Sequence, residues 1–406
     1  MEVAACTTRI CICPQTHVIC IQRHQQNEVF GAVQIVVYGR SEDQRKTNKL
    51  TMRILVISLA GIGDTLLATP LIHEVRANYP AAQIDALVLW TGSKDILEGN
   101  PHVHRVYQSN LMKQSKLETL RFLRSFRPHA YDVSINTHPQ SRIHYRIAAR
   151  LIGAPVRISH VYECSGLLDR LLVNRTLPQQ YTTHSVENNL RLLSLLGAKP
   201  LVPKHELEVY LSGADEEWAD SFWTQNQLRQ RRVLGLHAGS GGTKNLALKR
   251  WPLEHYIELL KRSLRNWPEL AVVLFGGPEE EADLQRVIGA LASPLVLLAR
   301  NQSLRQAAAL MKRCTVFLSV DTALMHLAAA VKVPRQIVIE APTFNKTNEP
   351  YGNPYVLIRN PSVAGRNLEY YRYDGRGIQG TREELLECMA SVTVEAVFGG
   401  LAEALQ

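Results

Sequence analysis

Strand-length apolar runs alternate with amphipathic segments from residue 53 to the end of the chain. In the first half, the pattern predicts strands at 53–59, 84–89 and 131–136, and helices at 65–78, 115–126, 141–152 and 186–196. In the second half, it predicts strands at 233–237, 271–275, 294–298, 315–320 and 336–340, helices at 253–266, 279–290, 303–313 and 321–331, and a last helix capped by Thr381 and Glu384. Such alternation is typical of βαβ units and parallel sheets.

A proline-containing stretch, residues 197–203, separates the two halves of this pattern. We therefore predict an α/β fold with two Rossmann-like, doubly wound domains, residues 52–200 and 201–406, which face a cleft. We expect the last helix to close across the two domains. Ligands bind in such clefts because the carboxyl ends of parallel strands, and the loops that follow them, point there.

The first 51 residues lack this periodicity. Four of the seven cysteines lie there, at Cys6, Cys11, Cys13 and Cys20, but their spacing lacks the two Cys-x-x-Cys pairs typical of a zinc site. We therefore predict no metal and a disordered extension, or an upstream artefact if translation starts at Met52. The segment also lacks the apolar core of a secretory signal.

Composition and charge narrow the class of protein. With 46% hydrophobic residues and no apolar run of roughly 18 residues, the chain is predicted to be globular, cytoplasmic and without a transmembrane helix. The net charge of +9 is concentrated in residues 53–200, which contain 17 Lys or Arg and 10 Asp or Glu. The basic segment from Lys113 to Arg150 can attract phosphates or the anionic inner face of the cytoplasmic membrane; an ordinary solvated helix face is the alternative.

The most informative loop follows the first strand. Gly61 and Gly63 permit a tight turn with close backbone approach, and Asp64 is predicted at the N-cap of the next helix. A carboxylate on a rigid loop in the cleft can serve as a general base towards a hydroxyl. By spacing alone, helix capping is the more common role. Leu66 replaces the third glycine of the dinucleotide fingerprint, which argues against an oxidoreductase.

A glycine-rich loop in the second half is typical of a phosphate site. Residues 236–243 follow a strand and offer backbone amides together with the hydroxyls of Ser240 and Thr243. Lys249, beside this loop, can neutralise a diphosphate leaving group. A surface cation before a helix that starts with proline is an equally good interpretation.

A third candidate segment begins at Asp321, at the start of an alanine-rich helix. Backbone amides and the helix dipole favour a pyrophosphate at such a position. His326 then either lines the site or is a structural histidine. Gly276 ends another strand in an open turn that can admit a nucleoside, or it belongs to an ordinary βα loop.

Taken together, these segments resemble glycosyltransferase family 9, the ADP-heptose:lipopolysaccharide heptosyltransferase family, over essentially residues 52–406. The motifs occur in the family's order: Gly61-Ile-Gly-Asp-Thr-Leu-Leu-Ala-Thr-Pro70, Tyr131-Asp-Val133, Leu190-Arg-Leu-Leu-Ser-Leu-Leu-Gly197, Lys249-Arg-Trp-Pro252 and Asp321-Thr-Ala-Leu-Met-His-Leu-Ala-Ala-Ala330. The resemblance implies a GT-B architecture with an acceptor-binding first domain and a nucleotide-sugar-binding second domain. It also implies inverting transfer that needs no metal or other cofactor.

The resemblance further implies roles for individual residues. Asp64 would be the catalytic base on an acceptor-side loop with Gly61 and Gly63, and Lys249 would contact the donor phosphates. The remaining donor-site residues it implies are Ser240, Thr243, Asp321, Thr322, Ala323, Leu324 and His326, and Gly276 is a donor-site candidate from its turn at the end of a strand. The expected partners are a nucleotide sugar, in the first place ADP-heptose, and a phosphorylated, lipid-linked or oligosaccharide acceptor. No nucleic acid is expected.

Two departures from the family pattern lie on the donor side. The loop between Ser240 and Lys249 is longer than usual, and Glu340-Ala-Pro-Thr-Phe-Asn345 stands where a Phe-Gly-Pro-Thr-Asp type of sequence is common. Another nucleotide sugar and glycan, a GT-B nucleotide-sugar epimerase and an inactive nucleotide-sugar-binding module therefore remain alternatives. The presence of both Asp64 and Lys249 argues against the inactive module.

Overall fold

The structure is a computed structural model, and it describes residues 52–240, 246–363 and 380–406. The predictions made for residues 1–51, with their four cysteines, and for Thr243 lie outside the described residues.

The first domain is built on a six-stranded parallel sheet with the strand order β3-β2-β1-β4-β5-β6. Its strands are β1 (Arg53–Ser58), β2 (Gln83–Val88), β3 (Arg105–Gln108), β4 (Val133–Asn136), β5 (Val156–Val161) and β6 (Arg175–Pro178). Ile57 of β1 pairs with Leu87 on one side and with Asn136 on the other. The chain thus reverses its direction of sheet growth between β1 and β4, which makes the loop after β1 a topological switch point.

Six α-helices connect these strands and a seventh follows β6: α1 (Ile62–Leu66), α2 (Thr69–Asn78), α3 (Thr91–Leu97), α4 (Lys116–Arg124), α5 (Ile143–Ile152), α6 (Leu167–Leu172) and α7 (Ser185–Arg191), with 3₁₀ turns at Arg127–His129 and Leu192–Leu196. The single helix predicted at 65–78 is in fact two. Pro70 lies in the first turn of α2, and a proline cannot continue a preceding helix because it lacks an N–H and its ring clashes with the carbonyl four residues earlier.

The sequence pattern missed β3, β5 and β6. β3 and β6 are four-residue strands at the two margins of the sheet, and Arg157 interrupts the apolar run of β5. Marginal strands need less continuous apolar character because they are less buried, so hydrophobic periodicity identifies them poorly.

One face of the first sheet is covered by α4 and α5. Leu55 and Ile57 on this face pack with Leu123 of α4, Ala149 of α5 and Val173, the residue that follows α6. These three helices therefore lie on the same side of the sheet.

The second domain repeats the arrangement in the strand order β12-β11-β10-β7-β8-β9, again fully parallel. Its strands are β7 (Val233–His237), β8 (Ala271–Phe275), β9 (Val296–Leu298), β10 (Val316–Val320), β11 (Arg335–Ile339) and β12 (Tyr355–Ile358). Its helices are α8 (Gly213–Gln225), α9 (Leu253–Asn266), α10 (Glu281–Leu291), α11 (Leu304–Met311), α12 (Ala323–Ala330), α13 (Arg382–Ala390) and α14 (Val394–Ala404), with a 3₁₀ turn at Leu246–Lys249. The switch point of this sheet lies between β7 and β10.

The C-terminal segment forms two helices rather than the one predicted. Met389 of α13, together with Val397 and Leu401 of α14, belongs to the hydrophobic core of the second domain. Closure of the last helix across both domains stays a prediction. Within the described residues, no single helix has the length and apolar composition to cross a membrane, although the bent pair α13 and α14 satisfies both measures when counted together.

Candidate active site

The loop after β1 places Asp64 at the third position of α1, so the prediction that Asp64 is the N-cap is wrong. Gly61 is the N-cap residue, with the extended backbone angles φ −79° and ψ 169°. Its backbone N–H donates to Oδ2 of Asp64 at 2.6 Å. The aspartate therefore reaches back to the helix start as the acidic residue of a capping box does, and this bond orients its carboxylate.

Hydrogen bonds between buried hydroxyl groups anchor the loop that follows β1. Oγ1 of Thr65 lies 3.1 Å from Oγ of Ser58 and 2.9 Å from Oγ of Ser93, and all three side chains are buried. The indole N–H of Trp90 donates to the carbonyl of Ala60 at 2.8 Å. The loop is therefore rigidly attached to β1 and α3, as a loop that positions a reacting group must be.

Tyr145 of α5 lies at the edge of the sheet from which the Asp64 loop extends, because Nδ2 of Asn136, which pairs with Ile57 of β1, donates to the carbonyl of Tyr145 at 3.1 Å. Its burial and the negative charge of Asp64 both raise the pKa of the phenol, which therefore stays protonated at neutral pH. The sequence pattern did not identify Tyr145, because its position at this edge of the sheet depends on the crossover from β4 to α5. Only the sequence distance between Tyr145 and Asp64 is visible without the fold.

Lys249 is buried in the second domain, so its interpretation as a surface cation is wrong. Its Nζ lies 3.4 Å from Oδ2 of Asp321, and both side chains are at least nine-tenths buried. The same Oδ2 accepts hydrogen bonds from Thr343 at 2.8 Å and from Asn348 at 3.2 Å. Asp321 thus holds the ammonium group at the carboxyl end of β10, and Thr343 and Asn348 are site residues that no local sequence pattern indicates.

The start of α12 provides a site for an anion. Thr322 is the N-cap residue, its side chain makes no capping bond, and the first turn carries no acidic residue. The amides of Ala323 and Leu324 and the helix dipole therefore favour an external negative charge. Nδ1 of His237, at the end of β7, lies 3.2 Å from Oγ1 of Thr322. Burial, supported by the positive charges of Arg250 and Lys249, lowers the pKa of His237 to about 3, so this histidine is neutral.

The two candidate loops meet where Gly63 contacts α12. A Cβ atom on Gly63 would lie 2.9 Å from Cδ2 of His326 and 3.5 Å from Cα of Ala323. His326 is buried, and its Nδ1 has no hydrogen-bond partner among the described residues. Burial is also the main cause that lowers the pKa of His326 to about 4. The fold therefore brings the Asp64 loop of the first domain against the Asp321–His326 segment of the second.

The predicted donor residues near β7 and β8 are organised by Arg250. Its guanidinium donates to the carbonyl of the buried Ser240 at 2.7 Å and lies 3.4 Å from Oε1 of Glu280. Burial raises the pKa of Glu280. Gly276 is packed against the same region, since a Cβ atom there would lie 2.7 Å from Cδ1 of Leu284. Close helix packing by itself therefore explains a glycine at 276.

Other contacts join the two domains beside the cleft. The N–H of Ser185, at the start of α7, donates to the carbonyl of Thr347 at 2.8 Å. The N–H of Leu304, at the start of α11, donates to Oδ2 of Asp95 at 3.0 Å. The cleft is thus bounded by contacts between domains on two further pairs of elements.

One group of residues in the described part of the chain has the composition of a metal site, and it lies elsewhere. The ligand atoms of His73, His102 and Glu208 lie within 4.8 Å of one another. Nδ1 of His73 is 2.6 Å from Oε1 of Glu208, and the hydroxyl of Tyr210 lies 3.2 Å from Nε2 of His102. These contacts attach the segment that precedes α8 to α2.

Two Rossmann-like domains whose strand-end loops meet across a cleft define the GT-B class of proteins, as predicted. Solved structures with this fold include a glycosyltransferase of family 9 from Veillonella parvula, with a TM-score of 0.68 and 19% identity over 87% of this chain and 97% of that chain. The ADP-heptose lipopolysaccharide heptosyltransferase II of Escherichia coli gives a TM-score of 0.65 with 21% identity over 87% and 98%.

Sequence comparisons identify the family. The model of glycosyltransferase family 9 (heptosyltransferase) matches residues 119–372. Lipopolysaccharide heptosyltransferase 3 of Escherichia coli is 30% identical over an alignment of 288 residues that covers 67% of this chain and 78% of that protein. Lipopolysaccharide heptosyltransferase 2 of Salmonella typhimurium is 25% identical over 87% of this chain and 99% of that protein. The chain belongs to glycosyltransferase family 9, and it is a glycosyltransferase.

Proposed function

We propose that this protein transfers a heptose from ADP-heptose to a lipopolysaccharide core acceptor, with inversion and without a metal ion. The names of its relatives support the donor and the acceptor class, since the proteins it resembles are lipopolysaccharide heptosyltransferases. The observation that carries the mechanism is the contact of the Asp64 loop with α12. It brings a carboxylate and an anion-binding helix start to one cleft.

The proposed reaction is a single displacement. Asp64 accepts the proton of an acceptor hydroxyl, and the hydroxyl oxygen forms a bond to the anomeric carbon of the donor. The bond between that carbon and the diphosphate oxygen breaks, and the nucleoside diphosphate leaves with the electron pair. Attack opposite the leaving group inverts the anomeric configuration.

The second domain would stabilise the departing diphosphate. The ammonium group of Lys249 and the first amides of α12 supply positive charge in a buried setting, where such charge is more effective than in water. Asp321 holds Lys249 in place through the 3.4 Å ion pair. These groups can perform the role that a divalent cation has in other transferases, which supports the absence of a metal or cofactor requirement.

The acceptor side would be formed by the first domain. Asp64, Gly61 and Gly63 would face the acceptor hydroxyl, and the protonated phenol of Tyr145, whose pKa is raised by burial and by the charge of Asp64, would contact the same substrate. A phosphorylated, lipid-linked acceptor agrees with the basic character of this domain. The cytoplasmic location expected from the sequence stays a prediction.

The test is a donor panel that includes ADP-heptose, with a lipid A-type acceptor, applied to the wild type and to Asp64→Asn. Asparagine keeps an oxygen that can accept the Gly61 amide, so the loop is retained while the base is lost. We expect the transfer rate to fall about 10²–10⁴-fold, the usual contribution of a general base. A rate equal to the wild type would remove Asp64 from this role.

Two controls accompany the donor panel. Glu384→Gln changes another third-position capping acid, whose Oε2 accepts the N–H of Thr381 at 2.8 Å on an exposed part of the second domain. It should leave transfer unchanged. Wild-type transfer should also persist in EDTA, whereas loss with recovery on adding Mg²⁺ would contradict the metal-independent mechanism.

Product analysis separates the remaining candidates. A family member with another donor would transfer from a different nucleotide sugar in the panel. An epimerase would convert the nucleotide sugar in the absence of acceptor, and an inactive binding module would bind nucleotide sugars without any product.

A further inference from the structure

An exposed apolar surface lies on the outward side of α4, α5 and α6. Of nine exposed large apolar side chains among the described residues, seven lie between residues 112 and 171. On α6, Leu167, Leu168 and Leu171 are 79%, 62% and 72% exposed, and on α5, Ile143 and Ile147 are each 41% exposed. A concentration of this size on one part of a protein surface indicates an interaction site.

These side chains share one face because the three helices pack side by side on the same face of the first sheet. Leu123, Ala149 and Val173, from α4, α5 and the end of α6, turn inward to one core. On α6, Asp169 also turns inward and forms an ion pair with the buried Arg146 at 2.9 Å. The opposite sides of the helices therefore form a continuous surface, which we call the α4–α6 face.

The α4–α6 face is also basic. Lys116, Arg121, Arg124, Arg150 and Arg170 are exposed on it, and none of them forms an ion pair within the described residues. Glu118 is the one exposed acidic residue on these three helices, all of which the structure describes in full. Unpaired cations next to exposed leucines are typical of segments that bind an anionic lipid surface.

We propose that the α4–α6 face docks on an anionic phospholipid membrane. The leucines of α6 and the isoleucines of α5 enter the boundary between headgroups and acyl chains, while the lysine and arginine side chains contact anionic headgroups. A second copy of this chain is a poorer partner, because face-to-face contact would oppose two sets of positive charges.

The α4–α6 face lies close to the candidate active site, so docking would place that site near the membrane. Tyr145 lies on α5 between Ile143 and Ile147, within about 5 Å along the helix axis, and its carbonyl accepts a hydrogen bond from Asn136 at the end of β4, next to β1. An acceptor whose lipid part stays in the bilayer would therefore need only a short reach to Asp64. This consequence of docking rests on the proposed function, whereas the docking itself does not.

Vesicle flotation of the full chain tests the proposal. The vesicles contain phosphatidylcholine alone or an equal mixture with phosphatidylglycerol, and binding is measured at low and at high salt. We expect binding to the mixed vesicles that weakens with salt. The triple variant Leu167→Gln/Leu168→Gln/Leu171→Gln should bind more than tenfold less, and each of Lys116→Gln, Arg121→Gln and Arg170→Gln about fivefold less.

The matched control is Leu201→Gln/Leu386→Gln, which changes the two exposed leucines outside the α4–α6 face among the described residues and should bind as the wild type does. All altered side chains are exposed, so thermal unfolding midpoints should stay close to the wild type. The proposal would be overturned if the triple variant bound the mixed vesicles as well as the wild type does, or if the wild type did not bind them. If sedimentation equilibrium shows a dimer that the triple variant abolishes, the α4–α6 face binds a second copy of this chain and not a membrane.

A transfer assay distinguishes failure of docking from failure of the proposed function. With a soluble, deacylated acceptor, the triple variant should equal the wild type, and with the acceptor embedded in mixed vesicles it should be slower. Flotation as expected without transfer to either acceptor would reject the proposed function and leave docking supported. Transfer to both acceptors at wild-type rates by the triple variant would reject docking and leave the function supported.

Discussion

The contact between Gly63 and His326 gives a quantitative test of how the two domains meet. In Gly63→Ala, the new Cβ would lie 2.9 Å from Cδ2 of His326, whereas optimal carbon contacts are about 3.5–4.0 Å apart. His326 is buried, and the backbone of Ala323 lies 3.5 Å from the same Cβ. The contact can therefore relax only by separating α1 from α12. Overpacking of this kind costs about 1–3 kcal/mol.

A matched substitution isolates that steric cost. Gly289 lies in α10 with nothing within 4 Å of an added Cβ, so Gly289→Ala should gain about 0.5–1 kcal/mol from lower chain entropy and better helix propensity. Gly63→Ala has a similar gain, because Gly63 is also helical. The free energies of unfolding of the two variants should thus differ by the steric cost alone.

Urea unfolding, followed by tryptophan fluorescence, measures this difference, and calorimetric titration with ADP measures the effect on donor binding. We expect Gly63→Ala to be about 1–3 kcal/mol less stable than Gly289→Ala and to bind ADP more weakly. The double variant Gly63→Ala/His326→Ala should recover the steric cost, because the clashing ring is removed. Equal stability of the two single variants would refute the contact between the domains at Gly63.

Two further predictions concern buried polar groups outside the cleft. Trp251→Phe should lower the free energy of unfolding by about 1–3 kcal/mol, because the indole N–H donates to the carbonyl of Val392 at 2.8 Å in a buried setting. Urea unfolding measures this change, and Trp218→Phe on α8 is the control. An unchanged free energy of unfolding in Trp251→Phe would contradict the hydrogen bond. Burial raises the pKa of Glu74, but hydrogen bonds from His205, Leu201 and Val202 outweigh it and hold the pKa below 4.5. The stability that Glu74 contributes is therefore present above pH 4.5 and is lost as the pH falls through its folded pKa. Urea unfolding across pH should show a difference between wild type and Glu74→Gln that is constant near neutral pH and shrinks in acid; a difference independent of pH would contradict this ionisation.

Apolar runs and helix-capping residues were sufficient to predict the strands and helices in which they occur. The apolar run of β1 is confirmed, and Ser303 and Thr381 accept the amides of Gln306 and Glu384 as the predicted helix starts require. By contrast, β3 and β6 lie at the margins of their sheet, where burial does not demand a long apolar run. Pro70 indicates the break between α1 and α2, but the helical periodicity of residues 65–78 continues across it and predicts a single helix.

In the candidate site, too, some residues are predictable from local sequence and others are not. Asp64 and Asp321 are predictable site residues because each follows a buried strand, and Lys249 is predictable because it lies beside a glycine-rich loop. Their contacts could not be selected in the same way, because Tyr145 and Thr343 reach the site from elements that strand order alone brings near. The identities of the reacting groups were thus readable, while their hydrogen-bond partners were not.

By itself, the sequence determined two parallel α/β domains and the loops on which polar residues follow strands, because helix and strand periodicity are properties of neighbouring residues. The tertiary structure decided that β1 and β10 place their loops against each other, that Lys249 is buried beside Asp321, and that α4, α5 and α6 expose one apolar and basic face. These features depend on strand order and on burial between residues far apart in the chain. No local pattern encodes them one residue at a time.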